Sequence, residues 1–199
     1  MPSFTPDSAL DLQFSADLIS PEVKSALHPD LHIRPLASTD YRRGHLAVLS
    51  VLTVVTDPGE AAWVAQFHAQ RACPRTYYTL VIVDKASDTI VAVGAVFIER
   101  KFLRGLGSVG HIEDIAVDKK QQGKKLGLRV INALTYISEA SGTYKTILNC
   151  SNDNILFVPD DSVAFYKKCG FEVKENEMAK YAPISRASAP TSRASTPKL

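Results

Sequence analysis

Residues 111–134, HIEDIAVDKKQQGKKLGLRVINAL, have the makings of an anion site. A β-branched run ending in Ile115, Ala116 and Val117 leads into a polar loop, and a helical pattern follows. Gln122, Gly123, Lys124, Lys125, Leu126 and Gly127 stand where loop becomes helix. The unsatisfied N–H groups and the dipole of a helix start favour negative charge there. Gly123 and Gly127 let a ligand come close to the backbone. Lys119, Lys120, Lys124 and Lys125 add mobile positive charge. A pyrophosphate or several phosphates suit such a loop. It is neither a Walker loop nor a dinucleotide fingerprint, because G-x-x-x-x-G-K-[ST] and G-x-G-x-x-G are both absent. On its own the segment reads equally as a glycine-punctuated turn with a solvated lysine face.

Several elements must hold this loop in place. Leu31–Pro35 reads as a short strand. Asp40 can cap a helix running to about Thr53, with Leu46, Leu49, Val51 and Leu52 available to a core. Pro58 suits position N1 of a second helix, Gly59–Cys73. Tyr77–Asp84 and Ile90–Arg100 are β-branched, aromatic-rich runs joined by turn residues, which predicts an antiparallel hairpin. Gly105 and Gly107 interrupt the chain before a strand at Gly110–Val117. After the loop Asp118–Gly123, a helix over about 124–142 presents Leu126, Val130, Leu134 and Ile137 at helical spacing. A strand at Lys145–Cys150, a loop, a short helix Ser162–Cys169 stopped by Gly170, and a closing strand Phe171–Lys180 complete the pattern.

The whole chain of 199 residues has 45% hydrophobic and 22% charged residues, which excludes collagen-like, disulfide-framework and wholly disordered classes. A formal net charge of +2 argues against a dedicated nucleic-acid binder. Cys73, Cys150 and Cys169 show no C-x-x-C spacing, which suits reduced thiols. The first 20 residues carry no basic side chain, unlike a signal or transit peptide. No apolar run reaches the ~18–20 residues of a membrane span. The expected location is the cytoplasm, and no His/Cys metal constellation is visible. Residues 1–30 read as a loosely ordered arm, 31–181 as one domain and 182–199, rich in Ala, Ser, Thr and Pro, as a disordered tail.

Context narrows the chemistry. The loop QGKKLG (122–127) is followed by YKTIL (144–148) and FYKKCGF (165–171), and preceded by IERK (98–101) and GHIEDIAV (110–117). Together these resemble the GNAT acyltransferase superfamily and, within it, the eukaryotic glucosamine-6-phosphate N-acetyltransferases, over about residues 31–181. The resemblance implies an α+β fold of three layers, with a mixed, mostly antiparallel central sheet flanked by helices and splayed open at the acetyl-CoA site. It implies acetyl transfer from acetyl-CoA to the amine of an amino-sugar phosphate, glucosamine 6-phosphate, without a metal and in a homodimer.

The resemblance also assigns residues. Gln122, Gly123, Lys124, Lys125, Leu126 and Gly127 would hold the pyrophosphate. The backbone of Ile115, Ala116 and Val117 would pair with pantetheine like an added strand. Tyr166 would donate a proton or hydrogen bond to the departing thiolate. Glu113 and Asp114 match acidic residues that contact the amino sugar. Neighbours on a regular strand face opposite sides, so both can line one site only through a bulge or a backbone contact. Thr53, Lys101, Arg104, Tyr144 and Lys145 fall at substrate-contacting positions, and Lys180 approximates a C-terminal basic contact. His111 belongs to the motif without an assignable role.

Two departures stand out. Asn149 replaces the acidic residue of the family's L-x-C motif, and it can neither accept a proton nor offer a charge. The stretch 151–162, SNDNILFVPDDS, is longer than the family's turn and puts Ser162 where relatives have Asn. These leave two alternatives: a GNAT enzyme for another amine, or a catalytically impaired CoA-binding regulatory protein.

Overall fold

The structure, a computed structural model, describes residues 4–150, 162–174, 178 and 180. The elements in chain order are α1 (Pro21–Ser25), β1 (Leu31–Pro35), α2 (His45–Leu49), α3 (Glu60–Arg71), β2 (Tyr77–Asp84), β3 (Thr89–Arg100), α4 (Leu103–Leu106), β4 (Ser108–Val117), α5 (Leu126–Ala140), β5 (Thr143–Leu148) and α6 (Ser162–Lys168). The five strands lie in sequence order in one sheet. All neighbours are antiparallel except β4 and β5, which are parallel and joined by α5. A parallel pair needs such a crossover, and α5 supplies it. The expected three-layer α+β sheet is therefore present.

The two faces of the sheet carry separate cores. Leu80, Ile82, Ala92, Val96 and Ile112 pack beneath Leu126, Val130, Leu134 and Ile137 of α5. Val81, Val83, Val93 and Ala116 pack beneath Val48 of α2 and Trp63 and Phe67 of α3. β2 is buried on both sides, and this is why its sequence runs apolar without alternation. Gly94 of β3 sits where α5 packs tightly: a Cβ there would lie 2.5 Å from Ile115 Cδ1 and Val130 Cγ1.

Several expectations need correction. Asp40 does not cap a long helix. It is fully buried and accepts two hydrogen bonds from Arg34, itself 1% exposed, at 2.6 and 2.7 Å. The chain turns through Gly44 in the left-handed region, so α2 begins at His45 and ends at Leu49. Gly59, not Pro58, adjoins the first residue of α3. Residues 4–30 are not a loose arm. Ile19 and Val23 enter the α5-face core, Leu12 bridges to Ala37, and Gln13 Oε1 accepts the Thr79 N–H at 2.7 Å. Apolar residues spaced through a Pro- and Asp-rich stretch found the sheet without needing a long element of their own. Among the described residues Phe171–Lys174 pair with no strand, although Gly170 does turn the chain with φ 88°; 175–177 and 179 of the expected closing strand lie outside the described residues. The expected tail 182–199 and the 151–161 part of the longer loop lie outside the described residues.

Candidate active site

The sheet opens along β4. Ser108–Ile112 pair with β3 on one side and β5 on the other, and the parallel ladder stops at Ile112 opposite Leu148. β4 continues to Val117, and among the described residues only β3 pairs with it there, as in Ala116–Val93 and Val117–Ala92. Ile115, Ala116 and Val117 therefore present a free backbone edge, and an extended amide chain is the natural complement of such an edge. Asn149 and Cys150 lie just past the end of β5, exposed, on the far side of this gap.

The loop after β4 is shaped by one side-chain turn and two positive φ values. The Asp118 carboxylate accepts the Lys120 N–H at 2.8 Å and closes a short 3-10 turn, Lys119–Gln121. Gly123 then takes φ 80° and Lys125 φ 60°, and α5 begins at Leu126. The positive φ at Gly123 is one that only glycine adopts cheaply, which fixes its place in the loop. Gly127 has a different role: a Cβ there would touch Phe165 at 3.6 Å and Val117 at 3.8 Å, so the helix start, the open edge and α6 meet at this point. Lys124, Lys125 and Arg129 also line a cleft of about 510 Å³ against Leu27, His28 and Asp84, giving the loop a basic outer wall.

Tyr166 is half-buried on α6, edge-on to Phe165 and Phe171. Burial, and then the Cys150 and Cys169 thiols, push its hydroxyl above the ordinary value of 10. It stays protonated at physiological pH and can donate a proton or hydrogen bond.

The carboxylates depend on a bulge. The register of β3 against β4 slips between Val93 and Ala95, so that Ala95 faces Glu113 while Val93 faces Ala116. Asp114 absorbs the extra residue at φ 56°. Cross-strand partners share a face, so Glu113 lies on the side of Ala95. Asp114 and Ala95 line one cavity on that side, under α2 and α3. Both carboxylates thus reach one face, as the bulge argument requires.

The remaining positions divide. Arg104 lies over the Tyr144 ring at 5.6 Å, bringing α4 to the start of β5. Lys145 is exposed beside Tyr144 on β5. Lys101 pairs with Glu99 at 2.7 Å, and Glu99 also bonds His111 at 2.9 Å while His111 stacks on Phe97. Lys101 and Glu99 thus form a local network with His111, a structural place for that histidine. Thr53 is exposed on the α2–α3 connection, and Lys180 is exposed near the end of the described chain. Reading the sequence missed His45 and Trp63, which line the cavity with Asp114. The available signal was a histidine in the apolar stretch His45–Leu49. Among the described residues no group of His, Cys, Asp or Glu is arranged to hold a metal ion, and no helix is long and apolar enough to cross a membrane.

The profile of the acetyltransferase (GNAT) family matches residues 40–171, from the buried Asp40 through the open edge and loop to Phe171. The chain belongs to this family. Named GNAT relatives are close: glucosamine 6-phosphate N-acetyltransferase 1 of Dictyostelium discoideum is 37% identical over 81% of this chain and 97% of its own length. The glucosamine 6-phosphate N-acetyltransferase of Candida albicans is 39% identical over 70% of this chain and 87% of its own. The crystal structure of the Arabidopsis thaliana glucosamine-6-phosphate N-acetyltransferase superposes with a TM-score of 0.69 at 37% identity, covering 76% of this chain and 97% of that one. GNAT acetyltransferases use acetyl-CoA.

Proposed function

We propose that this chain transfers the acetyl group of acetyl-CoA to the amine of glucosamine 6-phosphate. The product is N-acetylglucosamine 6-phosphate, on the route to UDP-N-acetylglucosamine. The reading rests above all on relatives of that name that match this chain over most of their own length. Acetyl-CoA brings an activated thioester. The Gln122–Gly127 loop receives its pyrophosphate, and Ile115, Ala116 and Val117 pair with its pantetheine amides. One N–H of that edge faces the thioester oxygen as it gains charge.

The amine attacks the carbonyl carbon, a C–N bond forms, and the C–S bond breaks. The ammonium has lost one proton and the leaving thiolate gains one. Tyr166 serves the thiolate, because its raised pKa keeps it a donor. Glu113 and Asp114 attract the ammonium and take up its proton directly or through water. Asn149, across the gap, supplies a dipole. Lys145, Arg104, Lys101, Tyr144 and Thr53 bind the sugar phosphate, with Lys145 its main charge partner, and Lys180 adds a basic contact. The enzyme acts in the cytoplasm as a homodimer. Among the described residues Phe171–Lys174 pair with no strand, which is consistent with a closing segment that packs across a dimer interface.

The test is thiol release from acetyl-CoA with and without glucosamine 6-phosphate. Acceptor-dependent release supports the proposal. Release with other amines only would move the substrate. Saturable acetyl-CoA binding without turnover would favour the regulatory reading, which Asn149 and the longer 151–162 stretch motivate.

A further inference from the structure

Behind Asp114 the α2–α3 layer closes over a cavity of about 110 Å³, whose polar lining comes from His45, Gln66, Gln70, Thr79 and Asp114, with Trp63 beside them. At roughly 30 Å³ per liquid water, the space takes a few waters. The N-terminal arm braces two of its lining residues: Gln13 accepts the Thr79 N–H at 2.7 Å and donates to Gln70 Oε1 at 3.0 Å.

His45 is 8% exposed, and burial lowers its pKa to about 4 against an opposing pull from the Asp40 charge. The imidazole is neutral at physiological pH and carries one proton. Trp63 Nε1–H can only donate, and it meets His45 Nδ1 at 3.2 Å. Nδ1 is therefore the acceptor, and the proton sits on Nε2. That nitrogen is buried and has no protein partner. A buried N–H donor demands an acceptor, and a solvent-sized polar cavity supplies one.

We propose that His45 is a positioning residue of the acceptor site: its Nε2–H, locked by Trp63, holds a buried water that donates in turn to the Asp114 carboxylate. This rests on the reading of Asp114 as an acceptor-binding residue. The direction of the chain matters. A water whose oxygen accepts from Nε2–H keeps both hydrogens for carboxylate and cavity, so Asp114 is oriented from behind and its outward oxygen remains for the ammonium. With the proton on Nδ1, the same water would spend a hydrogen on His45.

Two readouts test this. In full-length protein carrying ¹⁵N-histidine, His45 should show a protonated Nε2 and an unprotonated Nδ1 between pH 6 and 8. Asp114→Asn should shift the Nε2–H signal, and Trp63→Phe should mix the two tautomers. In kinetics, His45→Phe should lower acceptor kcat/KM roughly 5- to 20-fold, the scale of one lost hydrogen bond, with acetyl-CoA KM little changed. His45→Gln, which keeps an N–H donor, should recover most of that loss. An Nδ1–H tautomer, an Nε2 signal indifferent to Asp114→Asn, or a His45→Phe enzyme with normal acceptor kcat/KM would each overturn the proposal. So would a His45→Phe enzyme with lowered Tm and both KM values raised, the mark of a merely structural role. If the wild type acetylates no glucosamine 6-phosphate, the functional reading fails separately, and the ¹⁵N measurement still decides the coupling of His45 to Asp114.

Discussion

The two halves of β4 belong to one strand and behave oppositely. Ser108–Ile112 is paired on both sides, and Val109, Gly110 and Ile112 are buried. Glu113–Val117 is paired on one side, bulged at a left-handed Asp114, and carries two exposed carboxylates. The first half is a packing problem already solved. The second leaves a backbone edge that β5 does not pair and exposes two carboxylates, and both are what an amide-bearing thioester and an ammonium would use. Substitutions in the closed half should cost stability, and substitutions around the open half should cost rate.

The largest effect is expected at the open half. Tyr166→Phe should lower kcat by roughly 10²–10⁴-fold, the usual range for loss of an acid catalyst, while Tm stays within a degree or two of wild type. Because burial raises the Tyr166 pKa above 10, the wild-type alkaline limb attributable to this group should lie above pH 10 as well. A normal kcat in a variant whose chemical step limits turnover would remove Tyr166 from the mechanism and weaken the contrast between the halves.

His45 gives the contrast a pH axis. Its folded pKa of about 4 lies below the ordinary 6.5, so the unfolded chain binds the extra proton first. The associated stability is complete above pH 6.5 and lost as pH falls from 6.5 through 4. One pKa unit is worth about 1.4 kcal/mol, so the loss approaches about 3 kcal/mol. Urea unfolding at pH 7, 5.5 and 4.5 should show it, and His45→Phe should flatten that part of the profile. An unchanged slope in the variant would assign the acid lability to other groups.

Gly110 tests the closed half. A Cβ there would overlap Ser138 Oγ, which bonds Thr143 at 2.9 Å and Thr146 at 2.7 Å. Gly110→Val should cost about 1–3 kcal/mol of stability, the usual price of overpacking, and leave kcat nearly unchanged at temperatures where the variant is folded. Loss of kcat without loss of stability would mean that the two halves are coupled.

The sequence was legible where one physical signal dominates. The 126–140 helix announces itself through Leu126, Val130, Leu134 and Ile137, and the hairpin 77–100 through continuous β-branched runs between turn residues. The glycine loop was legible because Gly123 needs a conformation that few other residues accept. Asp40 was misread because a helix cap and a buried partner for Arg34 use the same side chain, and only the three-dimensional approach of β1 distinguishes them. The arm 4–30 was misread because its apolar residues have no periodicity and owe their burial to the sheet they meet. His45 was invisible as a site residue for a related reason. Its importance depends on Trp63, eighteen residues away, and on a cavity whose opposite wall is the bulge in β4.

Asn149→Asp is the smallest expected change and the sharpest test of the open half. Position 149 lies one residue past β5, exposed, on the opposite side of the gap from Ile115–Val117. A carboxylate there would attract the incoming ammonium and could accept its proton. A unit-charge pair at ~4 Å is worth up to about 4 kcal/mol at an effective dielectric constant near 20, but about 1 kcal/mol in water. An exposed side chain belongs nearer the second figure. Glu113 and Asp114 oppose the gain further, because a third carboxylate makes every neighbour harder to ionise. The expected outcome is a rise of roughly two- to fivefold in kcat/KM for glucosamine 6-phosphate between pH 6 and 9, carried mainly by a lower acceptor KM. An equal or lower kcat/KM across that range would mean that proton removal does not pass through position 149, and that Glu113, Asp114 or solvent carries it alone.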